Sequence, residues 1–252
     1  MRASTIRQIT PTGAIPSGVA FHRDGPRLRA IGLNKTFGEV QALKDVSIDL
    51  QGGVVHALVG PNGAGKTTLI RMLLDDLAPD SGTVEFTGVG RTRRRGLAIG
   101  GATEVLGLDP ALTTRATLEF LRLASGLPRT AAERAMAEFG LARLSSRRVG
   151  KLSTGERKRL EIALALLADP DVVIFDEPLN GMDPDAFDWF RQLVRDLKEA
   201  GKAILVSSHI LSELARIADR LTVIHQGTVR HSGEFDPSAQ DLEAIYHQTK
   251  EA

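Results

Sequence analysis

The residues best equipped for chemistry lie in a few short stretches. GPNGAGKT, Gly60–Thr67, has the spacing G-x-x-x-x-G-K-[ST]. An apolar run, VVHALV, leads into it and a helical pattern follows, the context in which this spacing cradles phosphate. The turn built by Gly60, Pro61, Asn62, Gly63, Ala64 and Gly65 aims backbone N–H groups at phosphate oxygens, and Thr68 continues it into the helix. Lys66 reaches the terminal phosphates and the Thr67 hydroxyl is offered to Mg²⁺. VVIFDE, Val172–Glu177, closes an apolar run with two carboxylates. Side chains alternate along a strand, so the two acids take separate tasks. Asp176 orients a magnesium shell, and Glu177 faces the water that attacks the γ-phosphate as general base. The chemistry implied is hydrolysis of a nucleoside triphosphate. A second anion-binding feature, LSTGE at Leu152–Glu156, leads into another helix, read from Glu156 onward. Ser153 and Glu156 also fit a capping box needing no ligand.

The elements that must carry these residues alternate. LRAIGL (28–33) and VSIDL (46–50) read as short strands. Val54–Gly60, Val172–Phe175 and Ala203–Ser208 are nearly continuous apolar runs, which suit central parallel strands covered on both faces. Each precedes polar residues and then a helical pattern. This is the alternation of an α/β doubly wound sheet, which binds ligands at the carboxyl ends of its strands. A helix is marked from Pro184 to Ala200: Asp183 caps it, Phe190, Leu193, Val194 and Leu197 form its apolar face, and Gly201 stops it. From about Glu104 to Lys151 the pattern turns helical, an insertion into the sheet.

Composition sets the outer bounds. The chain has 252 residues, 42% hydrophobic and 25% charged, which is ordinary for a globular protein. A net charge of +1 gives no global field for nucleic acid, and none is expected as a partner. The run Arg91–Arg95 reads as a solvated loop. Without cysteine there are no disulfides, thiolate metal sites or cysteine nucleophiles. No run approaches the roughly 18 apolar residues of a membrane span. Residues 1–27, with Pro11, Pro16 and Pro26 among glycines, read as a leader or coil outside the fold.

The order of phosphate cradle, helical insertion, LSTGE, VVIFDE, NGMDP and SSH resembles the nucleotide-binding subunit of ATP-binding cassette (ABC) transporters, of exporter type, over about Leu28–Tyr246. The resemblance implies a P-loop NTPase fold with a mostly parallel core sheet, an antiparallel β subdomain and an inserted helical subdomain. Its domain would span 28–235, with 105–151 as the insertion and 236–252 as a short C-terminal helix or tail. The cofactors implied are ATP and Mg²⁺. In that family two subunits pair head to tail, each signature capping the ATP in its partner's P-loop. Ser153, Thr154, Gly155 and Glu156 then belong to a neighbour's site. By the same resemblance Phe37 in KTFG stacks on adenine, and Asp183 in NGMDP lies on the loop crossing between subunits. His209 in SSHI touches γ-phosphate, and Glu104 takes the place of a metal-ligating glutamine. His56 lies inside an apolar strand, and the other histidines read as surface positions. Three departures stand out: Glu104 for glutamine, Thr154 and Glu156 for glycine and glutamine in the signature, and Phe37 for tyrosine.

The function so implied is an ATPase subunit that dimerises on ATP and drives export of a drug, antibiotic or lipid-like substrate. Separate transmembrane permease subunits would hold it at the cytoplasmic face of the membrane. The tail DLEAIYHQ resembles exporter-type subunits. An ABC ATPase driving a cytosolic assembly, such as iron–sulfur cluster building, stays open beside it. A nucleotide kinase would share the P-loop but explains neither LSTGE nor His209.

Overall fold

In the computed structural model the described residues are 25–88, 98–103 and 107–251. Glu104, the Arg91–Arg95 run and nearly all of the expected leader lie outside them.

Two sheets share the core. Strands β1 (Arg27–Phe37), β2 (Val40–Gln51) and β4 (Ser81–Thr87) form an antiparallel sheet in the order β2-β1-β4. The other sheet has the order β5-β6-β7-β3-β8-β9: β5 (Ile99–Ala102), β6 (Val172–Asp176), β7 (Ala203–Ser207), β3 (Val54–Val59), β8 (Arg220–His225) and β9 (Thr228–Glu234). All its neighbours run parallel except β8 and β9. This is the expected mixed α/β architecture, with a parallel centre and a separate antiparallel sheet.

The apolar runs are buried on both faces, and period two divides their side chains. Val173, Phe175, Ile204 and Val206 join one core cluster, while Val172, Ile174, Ala203 and Leu205 join the other. The first cluster takes in helices α2 (Thr114–Ala124), α3 (Thr130–Glu138) and α4 (Thr154–Leu166) through Leu118, Ala132 and Ile162, and α5 (Pro184–Glu199) through Phe190. Phe175 and Phe190 meet edge to face at 5.2 Å. The second cluster holds helix α1 (Lys66–Leu73) and the antiparallel sheet. Helices α2 and α3 lie between β5 and β6 in the chain, where the strand signal was absent. Short helix α6 (Leu211–Ala215) and helix α7 (Leu242–Glu251) complete the order.

Three expectations change in detail. LRAIGL lies in the first part of a strand of 11 residues, and VSIDL in the last part of one of 12. Irregular register around Gly32 and the positive φ of 51° at Asp45 break the apolar alternation there. The bulge is held by polar bonds: Gly32 N donates to Ser47 Oγ at 2.9 Å, and Asp45 N to Asn34 Oδ1 at 3.0 Å. Helix α4 begins at Thr154, not Glu156, because Ser153 caps it. His231 is half-buried, with an enclosed Nε2 that has no hydrogen-bond partner, so it is no simple surface histidine.

Among the described residues His56 is the one histidine sealed in the sheet, at 1% exposure. Its Nε2 pairs with Thr222 Oγ1 at 2.8 Å, and that hydroxyl contacts Ser232 Oγ at 3.1 Å. Burial, with the nearby Arg220 charge, pushes its pKa from 6.5 down to about 3. The unfolded chain binds this proton first, so the contribution to stability is whole above pH 6.5 and erodes between 6.5 and about 3. From pH 7 to pH 5 the loss should be about 2 kcal/mol. Urea unfolding of the chain and of His56→Gln at both pH values checks this. The variant should lack about that much of the pH dependence; equal dependence in both would mean that His56 takes up its proton as readily in the fold as in the unfolded chain.

Candidate active site

Three parallel strands end level with one another and aim their next residues at one cleft. Leu58 of β3 pairs with Ser207 of β7, which pairs with Asp176 of β6. Beyond β3 comes the turn Gly60–Gly65. A Cβ on Gly60 would fall 2.3 Å from the Ile224 carbonyl oxygen. Gly65 has φ +107°, and a Cβ there would lie 2.6 Å from the Ala42 carbonyl oxygen. Only glycine suits either position. Helix α1 then starts with no side-chain cap and no acid in its first turn, leaving its N–H groups and positive end for an anion.

A cleft of about 940 Å³ is lined by Pro61–Thr68, Asp176, Glu177, Asn180 and His209, with Val40–Ala42 and Gln226 also on its wall. Lys66 is buried, and its Nζ donates to the carbonyls of Gly60 (2.7 Å) and Pro61 (3.2 Å). Burial lowers its pKa, against the opposing pull of Glu177 and Asp176. Asp176 closes β6, and its Oδ1 accepts from Ser207 Oγ at 2.5 Å.

The two acids part by a different device from the strand alternation expected. β6 ends at Asp176, and Glu177 turns away with φ +49°. Its N–H donates to Ser207 O and Oγ, both at 3.1 Å, which holds the unusual backbone. Its carboxylate then reaches His209, accepting from the backbone N at 3.2 Å and lying 2.8 Å from Nδ1. Ser207, which sequence reasoning passed over, thus touches both acids. Its only signal was its place directly before Ser208-His209 at the end of an apolar run.

The donor set also decides which metal fits. Asp176 and the exposed Thr67 supply oxygens, and no group of three His, Cys, Asp or Glu suited to a metal exists among the described residues. A few hard oxygen ligands, with places left for water and substrate phosphate, fit Mg²⁺.

The second anion feature lies elsewhere. Ser153–Glu156 line a separate cleft of about 870 Å³ with Arg143, Arg159 and Gly181–Asp183. It shares no lining residue with the first. Ser153 Oγ accepts from Glu156 N at 3.2 Å, and Glu156 Oε2 accepts from Ser153 N at 2.9 Å, the expected capping box. Asp183 caps α5 by accepting from Ala186 N at 2.8 Å. One stretch joins the clefts, since Asn180 lines the first and Gly181–Asp183 the second. Thr154 abuts Gly181. Phe37 is 47% exposed and pairs in register with Val40, which lines the first cleft, although Phe37 itself does not.

A family model described as ABC transporter matches residues 43–180, more than half of the chain. The chain belongs to the ABC transporter family. Among its relatives, the ABC transporter ATP-binding protein NatA of Bacillus subtilis is 36% identical over 223 residues, covering 82% of this chain and 89% of that protein. The Nod factor export ATP-binding protein I of Paraburkholderia xenovorans is 40% identical over 216 residues, covering 82% of this chain and 70% of that one. A solved ATP-binding subunit of an ABC transporter superposes with TM-score 0.79 at 27% identity, over 88% of this chain and 99% of that one. Membership in this family sets the kinase reading aside.

Ser207→Ala should raise the Mg²⁺ concentration needed for half-maximal nucleotide binding by about tenfold, since outer-shell partners orient metal-holding carboxylates. A titration of nucleotide binding against Mg²⁺ checks it. An unchanged midpoint would leave Ser207 a purely structural hydroxyl.

Proposed function

We propose that this chain is the ATP-hydrolysing subunit of an ABC exporter, acting as a head-to-tail pair. The observation that carries the reading is the separation of its two anion-binding features: they line two clefts with no common residue. One copy therefore offers half of each reaction chamber. The backbone of Gly60–Thr67 and Lys66 bind the β- and γ-phosphates, with Thr68 in the first turn of α1. Thr67 and Asp176 would hold Mg²⁺, which neutralises charge on the triphosphate. Glu177 accepts the proton of the attacking water as that water bonds to the γ-phosphorus and ADP leaves. His209 steers the Glu177 carboxylate at 2.8 Å. Ser153 and Gly155 of a second copy close over the γ-phosphate, Thr154 and Glu156 shape that turn, and Asp183 lies at the seam. Phe37 presents an exposed ring for the adenine.

Export is the direction we assign, because a relative carries it in its name. No helix among the described residues is long and apolar enough to cross a membrane. Separate permease subunits would supply the path and hold this one at the cytoplasmic face. A role in cytosolic assembly draws no support from relatives named for transport and export.

Glu177→Gln should keep ATP affinity, lose hydrolysis by at least about 10²-fold, and accumulate as an ATP-bound dimer in sedimentation. Hydrolysis at the parental rate would remove Glu177 as the base. Ser153→Arg tests the seam separately. It should leave ATP binding at the chain's own cleft intact and abolish turnover that rises with protein concentration. If that turnover persists, the two clefts do not meet.

A further inference from the structure

The signature turn contains an electrostatic conflict. Ser153 can give a hydrogen bond to a phosphate only if its hydroxyl proton points outward. It does have that freedom, because its oxygen already accepts from Glu156 N at 3.2 Å. The same capping box, however, brings the Glu156 carboxylate to 2.9 Å from Ser153 N. An anion arriving at this turn meets a negative charge in its first helical turn.

Arg147 answers that charge. Its Nη1 donates to both Glu156 oxygens, at 3.1 and 3.0 Å. Hydrogen bonding from Ser153, with the Arg147 charge, holds Glu156 below the usual carboxylate range, so the carboxylate stays ionised as an anion approaches. The backbone of Arg147 is fixed independently. Its carbonyl accepts from Thr114 N at 2.9 Å and Thr114 Oγ1 at 3.2 Å, and its N–H donates to Leu144 O at 2.9 Å. The guanidinium thus reaches the signature from a strut anchored to the start of α2.

We propose that Arg147 is a positioning residue of the signature: by pairing with Glu156 it neutralises that carboxylate and keeps the Ser153 hydroxyl presented to phosphate held by a second copy. The proposal rests on the half-site reading above. The ion pair contributes little to folding, because Arg147 is 50% and Glu156 20% exposed and solvent screens them. Its effect falls on the approaching triphosphate, whose charge makes an unpaired Glu156 repulsive.

The test follows ATP turnover of the full chain against protein concentration, with Mg²⁺ present, beside nucleotide affinity at low concentration where each copy binds alone. Arg147→Ala should lower the concentration-dependent kcat by about fivefold, the upper end for such a pair. Affinity at the chain's own cleft should move by about twofold or less, and Arg147→Lys should recover part of the rate. In a Glu156→Gln background, where there is no charge to neutralise, the further change Arg147→Ala should cost about twofold or less. An unchanged rate in Arg147→Ala would overturn the proposal. So would the same fivefold loss in the Glu156→Gln background, since Arg147 would then act through something else. A parental rate per molecule that is independent of dilution would instead sink the half-site reading, and this role with it.

Discussion

The register of three parallel strands is the constraint on which the site depends. β3, β6 and β7 must end at one level, because the phosphate turn, the acid pair and the serine-histidine pair follow them directly. A slip of one residue between β6 and β7 would part Asp176 from Ser207 and move every inward side chain to the opposite face. The two core clusters guard against that slip. Phe175 with Val206 on one side, and Ile174 with Leu205 on the other, occupy layers that a shifted strand could not fill. Packing deep in the sheet thereby fixes an alignment used only at its edge.

Within that edge the charges are balanced rather than merely gathered. Lys66 is taken out of water by the fold, which disfavours its charge, and two carboxylates nearby offset the cost. The acids are kept apart by a backbone turn: Ser207 bonds the Asp176 carboxylate and the Glu177 main chain, while His209 takes the Glu177 side chain. One serine therefore separates a carboxylate suited to a metal from one suited to a proton. The arrangement gives neighbouring acids unlike surroundings, which is how two groups of similar intrinsic acidity acquire different tasks.

Much of this was legible in the chain because local rules carried it. Continuous apolar runs announced the buried parallel strands, and the spacing from Gly60 to Thr67 announced the turn, since few residue types tolerate its geometry. Asp183 and Pro184 marked the start of α5. What escaped depended on contacts distant in sequence. Ser207 meets Asp176 only because β6 and β7 pair, and nothing near Ser207 reports that partner. The full lengths of β1 and β2 were hidden by a bulge whose polar bonds substitute for apolar alternation. The α6–β9 region was silent because the buried Thr222 interrupts the short apolar run of β8 and β9 alternates without strongly apolar residues.

The signature turn shows how one local motif can serve folding and chemistry at once. A capping box was the plain explanation of Ser153 and Glu156, and the structure contains that box. Its presence does not compete with phosphate recognition. In accepting from Glu156 N, the Ser153 oxygen uses a lone pair and leaves its proton to be donated, so the cap orients the hydroxyl that an incoming phosphate needs. The cap also consumes two of the N–H groups that a bare helix end would offer an anion, including that of Ser153 itself. The remaining donors are the hydroxyl and the next backbone N–H groups, Gly155 among them. A Cβ at Gly155 would meet nothing within 4 Å, so steric need inside one chain does not explain this glycine. In the head-to-tail pair we propose, close approach of the second copy's phosphate to this backbone would.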